Sequence, residues 1–162
     1  MSKRDSIKFG YAIGNAPSMA THYEVFKQVK QHSKLLLEEV NELEEASSEE
    51  DMQEIVDACM DIKFLNTYLE HLLEAYGCNT KKAWETVCEN NLQKTTNSYT
   101  YAQSSKEHLE SREDGEFYID ELTFEGELLY TVKRVSDNKV MKLKSHVRPD
   151  LSVCVPQEFK NV

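Results

Sequence analysis

The feature that most constrains the fold is the stretch from Ala20 to Ala46, which contains neither glycine nor proline. Along it, the residues of one face recur at steps of three and four: Tyr23, Phe26, Val29, Ser33, Leu36, Val40 and Leu43. This spacing is typical of an amphipathic α-helix, because side chains three or four positions apart lie on the same helix face. The stretch therefore predicts a long helix whose largely apolar face must be buried.

Two further helices are predicted beyond the interruption at Ser47 and Ser48. The second begins near Ser48, where the acidic residues that follow favour a helix N-terminus. It continues to about Tyr76 and ends at Gly77, since glycine readily adopts the left-handed conformation after a last turn. The third runs from Thr80 to about Leu92. Together the three helices predict a mainly α fold built as a helical bundle.

The sequence divides into four segments, and helix is expected mainly in the second. We expect an irregular lead-in at residues 1–19, the helical domain at 20–94, a polar linker at 95–115, and a small C-terminal β-hairpin and tail at 116–162. The hairpin is expected to pair residues 128–135 with 139–143. Asp137 and Asn138 lie between these runs, and both residue types tolerate a positive φ in tight turns.

The charge of the chain is strongly acidic and is concentrated in one window. There are 19 Lys and Arg against 29 Asp and Glu, a formal net charge of −10, which argues against partners such as nucleic acid or an anionic membrane surface. Eleven acids and no Lys or Arg lie between Glu38 and Asp61, so this window accounts for the whole acidic excess.

Cysteine usage and hydropathy favour a cytoplasmic protein. The four cysteines form no Cys-x-x-Cys pair, and a chain of this length does not need a disulfide framework. We find no convincing signal peptide and no stretch that approaches a membrane span. Reduced thiols in a cytoplasm are therefore expected.

The acidic window forms two stripes on the predicted helices. Glu39 and Glu42 share a face of the first helix, while Glu54, Asp57 and Asp61 share a face of the second. If the two helices pack antiparallel, both stripes meet near the same end of the bundle. Carboxylates held that close repel one another, and all-oxygen ligands select Mg²⁺ or Mn²⁺, so a divalent metal site is predicted.

Other interpretations of the acidic window compete with this one. The carboxylates could form a simple solvated helix face, or the surface of a non-catalytic module that binds a protein partner. A di-iron carboxylate bundle would require a Glu three residues before a His on two helices, and none of the five histidines has one.

The motifs resemble those of a known enzyme superfamily. Glu38-Glu39-Val40-Asn41-Glu42, then Glu54-Ile55-Val56-Asp57 with Asp61 one turn on, then Asn91-Leu92-Gln93-Lys94, are similar to the all-α nucleotide pyrophosphohydrolases, the MazG-like and phosphoribosyl-ATP pyrophosphohydrolase-like proteins. The chain looks closest to the phage-type members. The resemblance implies Mg²⁺-dependent hydrolysis of a nucleoside triphosphate to a monophosphate and pyrophosphate. An alarmone or another signalling nucleotide is an alternative substrate for the same metal site.

The resemblance also implies roles for individual residues. The expected metal ligands are Glu39, Glu42, Glu54, Asp57 and Asp61. Glu38 would orient or deprotonate the attacking water, with Glu39 the second catalytic carboxylate, and Asn91 and Lys94 would bind the substrate.

Two further expectations concern the basic residues near the C-terminus and the apolar faces of the helices. Lys142 and Lys144 are candidate triphosphate contacts, against the alternative that they protect a solvated edge strand. Two or three helices of this length leave apolar faces that one chain cannot cover, so a homodimer or homotetramer is expected.

Overall fold

The computed structural model describes residues 3–17 and 22–160, and this part of the chain is mainly helical. Its elements are α1 (Lys3–Ala12), α2 (His22–Ser48), α3 (Met52–Ala75), α4 (Thr80–Leu92), β1 (Thr95–Thr96), α5 (Tyr99–Glu110), β2 (Phe117–Phe124) and β3 (Glu127–Arg134). Two 3₁₀ turns, Ser152–Cys154 and Gln157–Phe159, follow near the C-terminus. The predicted fold class, a mainly α chain with a small C-terminal β structure, is confirmed.

The described residues divide into two compact units. The first contains the residues up to Thr80 together with those from Ser152 onward, and so holds α1, α2 and α3. The second runs from Lys81 to Leu151 and holds α4, α5 and the sheet.

The first unit is built around an antiparallel pair of helices, α2 and α3. The Tyr76 hydroxyl donates to Gln28 Oε1 at 2.6 Å, and His32 Nε2 lies 2.7 Å from the carbonyl oxygen of Leu65. These contacts join the first half of α2 to the second half of α3. The pair therefore brings the C-terminal half of α2 beside the N-terminal half of α3.

A short turn closes the helix pair. Glu50 has φ +58°, and Asp51 caps α3 by accepting hydrogen bonds from the backbone N–H groups of Gln53 and Glu54 at 2.9 and 3.2 Å. Such a cap satisfies donors that the first helical turn cannot pair internally.

A helix, α1, lies where an irregular lead-in was expected, so that prediction was wrong for Lys3–Ala12. The Ser6 hydroxyl donates to the carbonyl oxygen of Phe64 at 2.6 Å, and the rings of Phe9 and Phe64 are 5.6 Å apart. Gly10 faces the ring of Tyr68 so closely that a Cβ atom would overlap it. Gly10 lowers the helix propensity of this segment, but its lack of a side chain is what lets α1 pack on α3.

The second unit contains a three-stranded antiparallel sheet in the order β1-β3-β2. The expected pairing of residues 128–135 with 139–143 was wrong: the hairpin joins β2 to β3, with Phe117 opposite Arg134 and Phe124 opposite Glu127. Its turn is formed by Glu125 and Gly126, at φ +51° and +85°.

The expected turn at Asp137 and Asn138 does form, but little strand follows it. Asn138 has φ +55°, and the chain then makes a single bridge, Val140 to Lys133. Met141 and Leu143 instead enter the core of the second unit with Leu109, Phe117 and Val132.

The segment 95–115, expected to be a polar linker, holds β1 and the 12-residue helix α5. Ser98 caps this helix by accepting from the Tyr101 N–H at 3.3 Å. Its buried face is made of Ala102, Ser105 and Leu109, spaced by three and four. Ala102 is small and Ser105 is polar, so the sequence shows little of the amphipathic pattern that would predict this helix.

No helix in the described ranges combines the length and apolar character needed to cross a membrane.

Candidate active site

An acidic pocket opens between α2 and α3 near the turn that joins them. It has a volume of about 190 Å³, and we define it by its lining residues: Glu42, Glu45, Ala46, Glu49, Glu54, Asp57 and Ala58. The structure thus brings Glu42, Glu54 and Asp57 of the predicted set to one pocket.

The pocket follows from the antiparallel pairing and from two small residues. Ala46 and Ala58 are buried, and their short side chains allow the facing helices to approach where the acids begin. The acids on the first turns of α3 lie at the positive end of its dipole, which partly offsets their mutual repulsion.

Glu45 and Glu49 line the pocket although they were not among the predicted site residues. Their signal was present in the sequence, because Glu42, Glu45 and Glu49 continue one stripe at steps of three and four. The prediction treated them as part of the acidic window only.

Glu39 lies one turn before this pocket on α2 and is partly buried. Its Oε2 atom is buried with no hydrogen-bond partner among the described residues. Burial raises the pKa of Glu39 above its ordinary value, and the negative charges of Glu42, Asp61, Asp57 and Glu38 raise it further. Carboxylates on both α2 and α3 therefore raise the pKa of the same side chain, Glu39.

Asp61 and Glu38 sit at the margins of this acidic group. Asp61 lines a separate pocket of about 300 Å³ between α1 and α3, together with Ser6 and Phe64. Glu38 is exposed on α2. Both nevertheless contribute to the negative potential at Glu39.

The side chains are not arranged as a closed metal cage. Across residues 3–17 and 22–160, no group of three or more His, Cys, Asp or Glu side chains is placed to hold a metal ion. The donor chemistry nevertheless fits a hard divalent cation: the ligands are all oxygens, and Glu39 has an unpaired buried oxygen and a charge that its neighbours disfavour.

Asn91 and Lys94 lie in the second unit, at and just beyond the C-terminal end of α4. Lys94 Nζ donates to Asn91 Oδ1 at 2.7 Å, and Asn91 Nδ2 donates to the carbonyl oxygen of Val87 at 3.0 Å. The two residues of the Asn-x-x-Lys motif therefore contact one another directly.

Lys142 and Lys144 also lie in the second unit, on the extended segment after the β3 strand. Lys144 Nζ donates to Ser104 Oγ at 2.7 Å and lies 5.1 Å from the centre of the Tyr101 ring. Both lysines line a pocket against α5.

Comparison with known proteins gives one family. The model of the phosphoribosyl-ATP pyrophosphohydrolase family matches residues 8–91, which include every predicted carboxylate and Asn91. No curated protein and no solved structure matches the chain.

Proposed function

The chain belongs to the phosphoribosyl-ATP pyrophosphohydrolase family, within the MazG-like all-α superfamily of hydrolases that cleave phosphoanhydride bonds of nucleotides, and we propose that its substrate is a nucleoside triphosphate. An NTP or dNTP would be cleaved between its α and β phosphates to give a monophosphate and pyrophosphate. The observation that carries the proposal is the acidic pocket, with the buried, unpaired oxygen of Glu39 one turn away.

The proposed cofactor is Mg²⁺, with Mn²⁺ as a substitute. Glu39, Glu42, Glu54, Asp57 and Asp61 would hold it. Bound there, the cation would neutralise phosphate charge and lower the pKa of a water molecule. The raised pKa of Glu39 supports this assignment, because mutual repulsion of carboxylates is what a bound cation relieves.

The protein's own residues would position the reactants. Glu38, exposed and next to Glu39, would orient the attacking water and accept its proton as the water oxygen bonds to the α phosphorus. The bond from that phosphorus to the bridging oxygen breaks, and pyrophosphate leaves with the electron pair. Positioning and charge stabilisation supply most of the catalysis in such phosphoryl transfers.

Substrate contacts are proposed for four residues of the second unit. Asn91 and Lys94 form a joined amide–ammonium pair, and the ammonium retains further donors for phosphate oxygens. Lys142 and Lys144 would also bind phosphate groups.

We propose that the functional protein is a homodimer or homotetramer. Large apolar side chains are exposed on both long helices: Leu37, Val40, Met52, Val56 and Met60. On α3, the last three of these recur every four residues, which makes a continuous stripe suited to packing against helices of another copy. The four cysteines are free, which supports a reducing compartment such as the cytoplasm.

The proposal is tested by product analysis over a substrate panel. Purified protein with Mg²⁺ is incubated with each NTP and dNTP and with phosphoribosyl-ATP, and the products are resolved by ³¹P NMR. We expect pyrophosphate and a nucleoside monophosphate from at least one triphosphate. Turnover of phosphoribosyl-ATP alone, or release of orthophosphate in place of pyrophosphate, would contradict the proposal.

A further inference from the structure

The second unit contains a pocket whose charge is opposite to that of the acidic pocket. It has a volume of about 270 Å³ and lies between the end of α5 and the segment 142–146. We call it the basic pocket and define it by its polar lining: His108, Arg112, Glu113, Lys142, Lys144 and His146. Three permanent cations face a single carboxylate in a chain whose net charge is −10.

The walls of the basic pocket are anchored in the core of the second unit. Leu109 and Leu143, which also line it, are buried in the cluster that holds Phe117, Val132 and Met141. The backbone N–H of Lys144 donates to Ser105 Oγ at 3.3 Å. The cations therefore project from two segments whose backbones the core holds together.

Several of the polar side chains are also oriented by their neighbours. Arg112 Nη1 lies 3.3 Å from His108 Nε2, and His146 Nε2 lies 3.2 Å from Asn90 Oδ1. Lys144 Nζ is directed by Ser104. Arg112 and Lys144 keep further donors for a ligand, because a guanidinium has five N–H groups and an ammonium has three.

The chemistry of this lining selects a small anion with several charges. A guanidinium binds phosphate oxygens in a fork, and lysine and histidine add single donors around it. A pocket of this volume accommodates a phosphate chain but encloses only a short stretch of any polymer.

We propose that the basic pocket is a binding site for the di- or triphosphate group of a small molecule. Its residues lie outside the part of the chain that the family model matches. It shares no residue with the acidic pocket, but it includes Lys142 and Lys144, whose phosphate contacts are part of the proposed function, on which this site therefore rests in part. Binding measured without metal or turnover distinguishes a failure of this site from a failure of hydrolysis. Free pyrophosphate and a nucleotide carry the same group and are the two sources of the ligand.

Calorimetric titration of the full chain with pyrophosphate, with EDTA present, tests the site without catalysis. Without divalent cations the acidic pocket repels anions, so binding reports on the basic pocket. We expect saturable binding of one pyrophosphate per chain at physiological ionic strength, about 0.15 M. Arg112→Gln or Lys142→Gln should each weaken it about tenfold, the effect of losing one charge-assisted hydrogen bond.

The matched control is Lys81→Gln, which removes the same charge from an exposed lysine of the same unit that does not line the pocket. Its affinity should equal that of the wild type. A parallel titration with ATP identifies the source: tighter ATP binding indicates a nucleotide, and equal or weaker binding indicates pyrophosphate itself.

A second measurement needs no variant. In the wild-type protein, pyrophosphate should shift the NMR signals of the His108 and His146 imidazoles and saturate with the calorimetric affinity. The proposal is overturned if no saturable binding occurs, if both pocket variants bind like the wild type, or if these two imidazole signals stay unchanged at saturation.

Discussion

At the residue scale, the first unit depends on one close approach between a glycine and a buried aromatic ring. Tyr68 and His32 are fully buried, and the Tyr68 hydroxyl donates to the carbonyl oxygen of Asn15, which is also buried. Gly10 lies against the same ring. These contacts connect α1 and the residues after it to α3.

Replacing this glycine should therefore destabilise the protein. Gly10→Ala adds a Cβ that overlaps the Tyr68 ring, and overpacking of this kind costs about 1–3 kcal/mol of unfolding free energy. Urea denaturation measures the change. Helix propensity alone predicts the opposite sign, a gain of up to about 1 kcal/mol, so a more stable Gly10→Ala variant would contradict the packing described for α1.

Tyr68 also predicts a dependence of stability on alkaline pH. Burial raises the pKa of Tyr68 from 10.0 to about 12 in the folded protein. Its contribution to stability is therefore fully present below pH 10 and is lost as the pH rises toward 12, because the unfolded chain ionises first. Unfolding free energies measured across this range should fall more steeply for the wild type than for Tyr68→Phe. Parallel pH profiles would contradict the assignment.

At the element scale, α5 is the helix that was hardest to predict from the sequence. It covers the sheet of the second unit with Ala102, Ser105 and Leu109, and it supplies one wall of the basic pocket. Because small side chains dominate its buried face, close packing against the sheet holds the helix more than side-chain hydrophobicity does.

Truncating Leu109 tests whether α5 is an integral element. Leu109→Ala removes a buried leucine from the core and should cost about 2–4 kcal/mol of unfolding free energy. Leu92→Ala is the matched control, since Leu92 is 68% exposed and its loss should change stability by less than about 0.5 kcal/mol. Equal effects in chemical denaturation would contradict the structure of this segment.

The predictable parts of the molecule are those with strong local signals. The long helices and the facing acidic stripes followed from spacing, and Glu42, Glu54 and Asp57 do converge on one pocket. Helix α1 was not predicted, because the glycine at position 10 is explained only by its close contact with the ring of Tyr68, a residue far along the chain. The hairpin was misplaced because Asp137-Asn138 was predicted as its turn, whereas the strands are joined at Glu125-Gly126; both turns form.

At the scale of the whole molecule, acidic and basic side chains line two different pockets. The acidic pocket in the first unit suits a divalent cation, and the basic pocket in the second unit suits phosphate groups. The net charge of −10 arises from the acidic window between Glu38 and Asp61, five of whose eleven acids are the proposed metal ligands, and it is compatible with an anionic substrate once cations are bound.

The apolar stripe on α3 predicts self-association. Val56→Glu together with Met60→Glu places charges in the proposed contact and should convert the dimer or tetramer into monomers, as measured by sedimentation equilibrium. Gln31→Glu, an exposed polar position on α2, should leave the mass unchanged. A wild-type protein that sediments as a monomer would contradict the proposed assembly.

The central claim is that the carboxylates of α2 and α3 form a metal-dependent hydrolytic site, and pyrophosphate release from the preferred triphosphate tests it most directly. With Mg²⁺, Glu39→Gln and Asp57→Asn should each lower the rate at least about a hundredfold, because the metal supplies several kcal/mol of charge stabilisation. Glu44→Gln, on α2 but outside the acidic pocket, should retain the wild-type rate. Full activity of Asp57→Asn, or equal rates with Mg²⁺ and with EDTA, would contradict the claim.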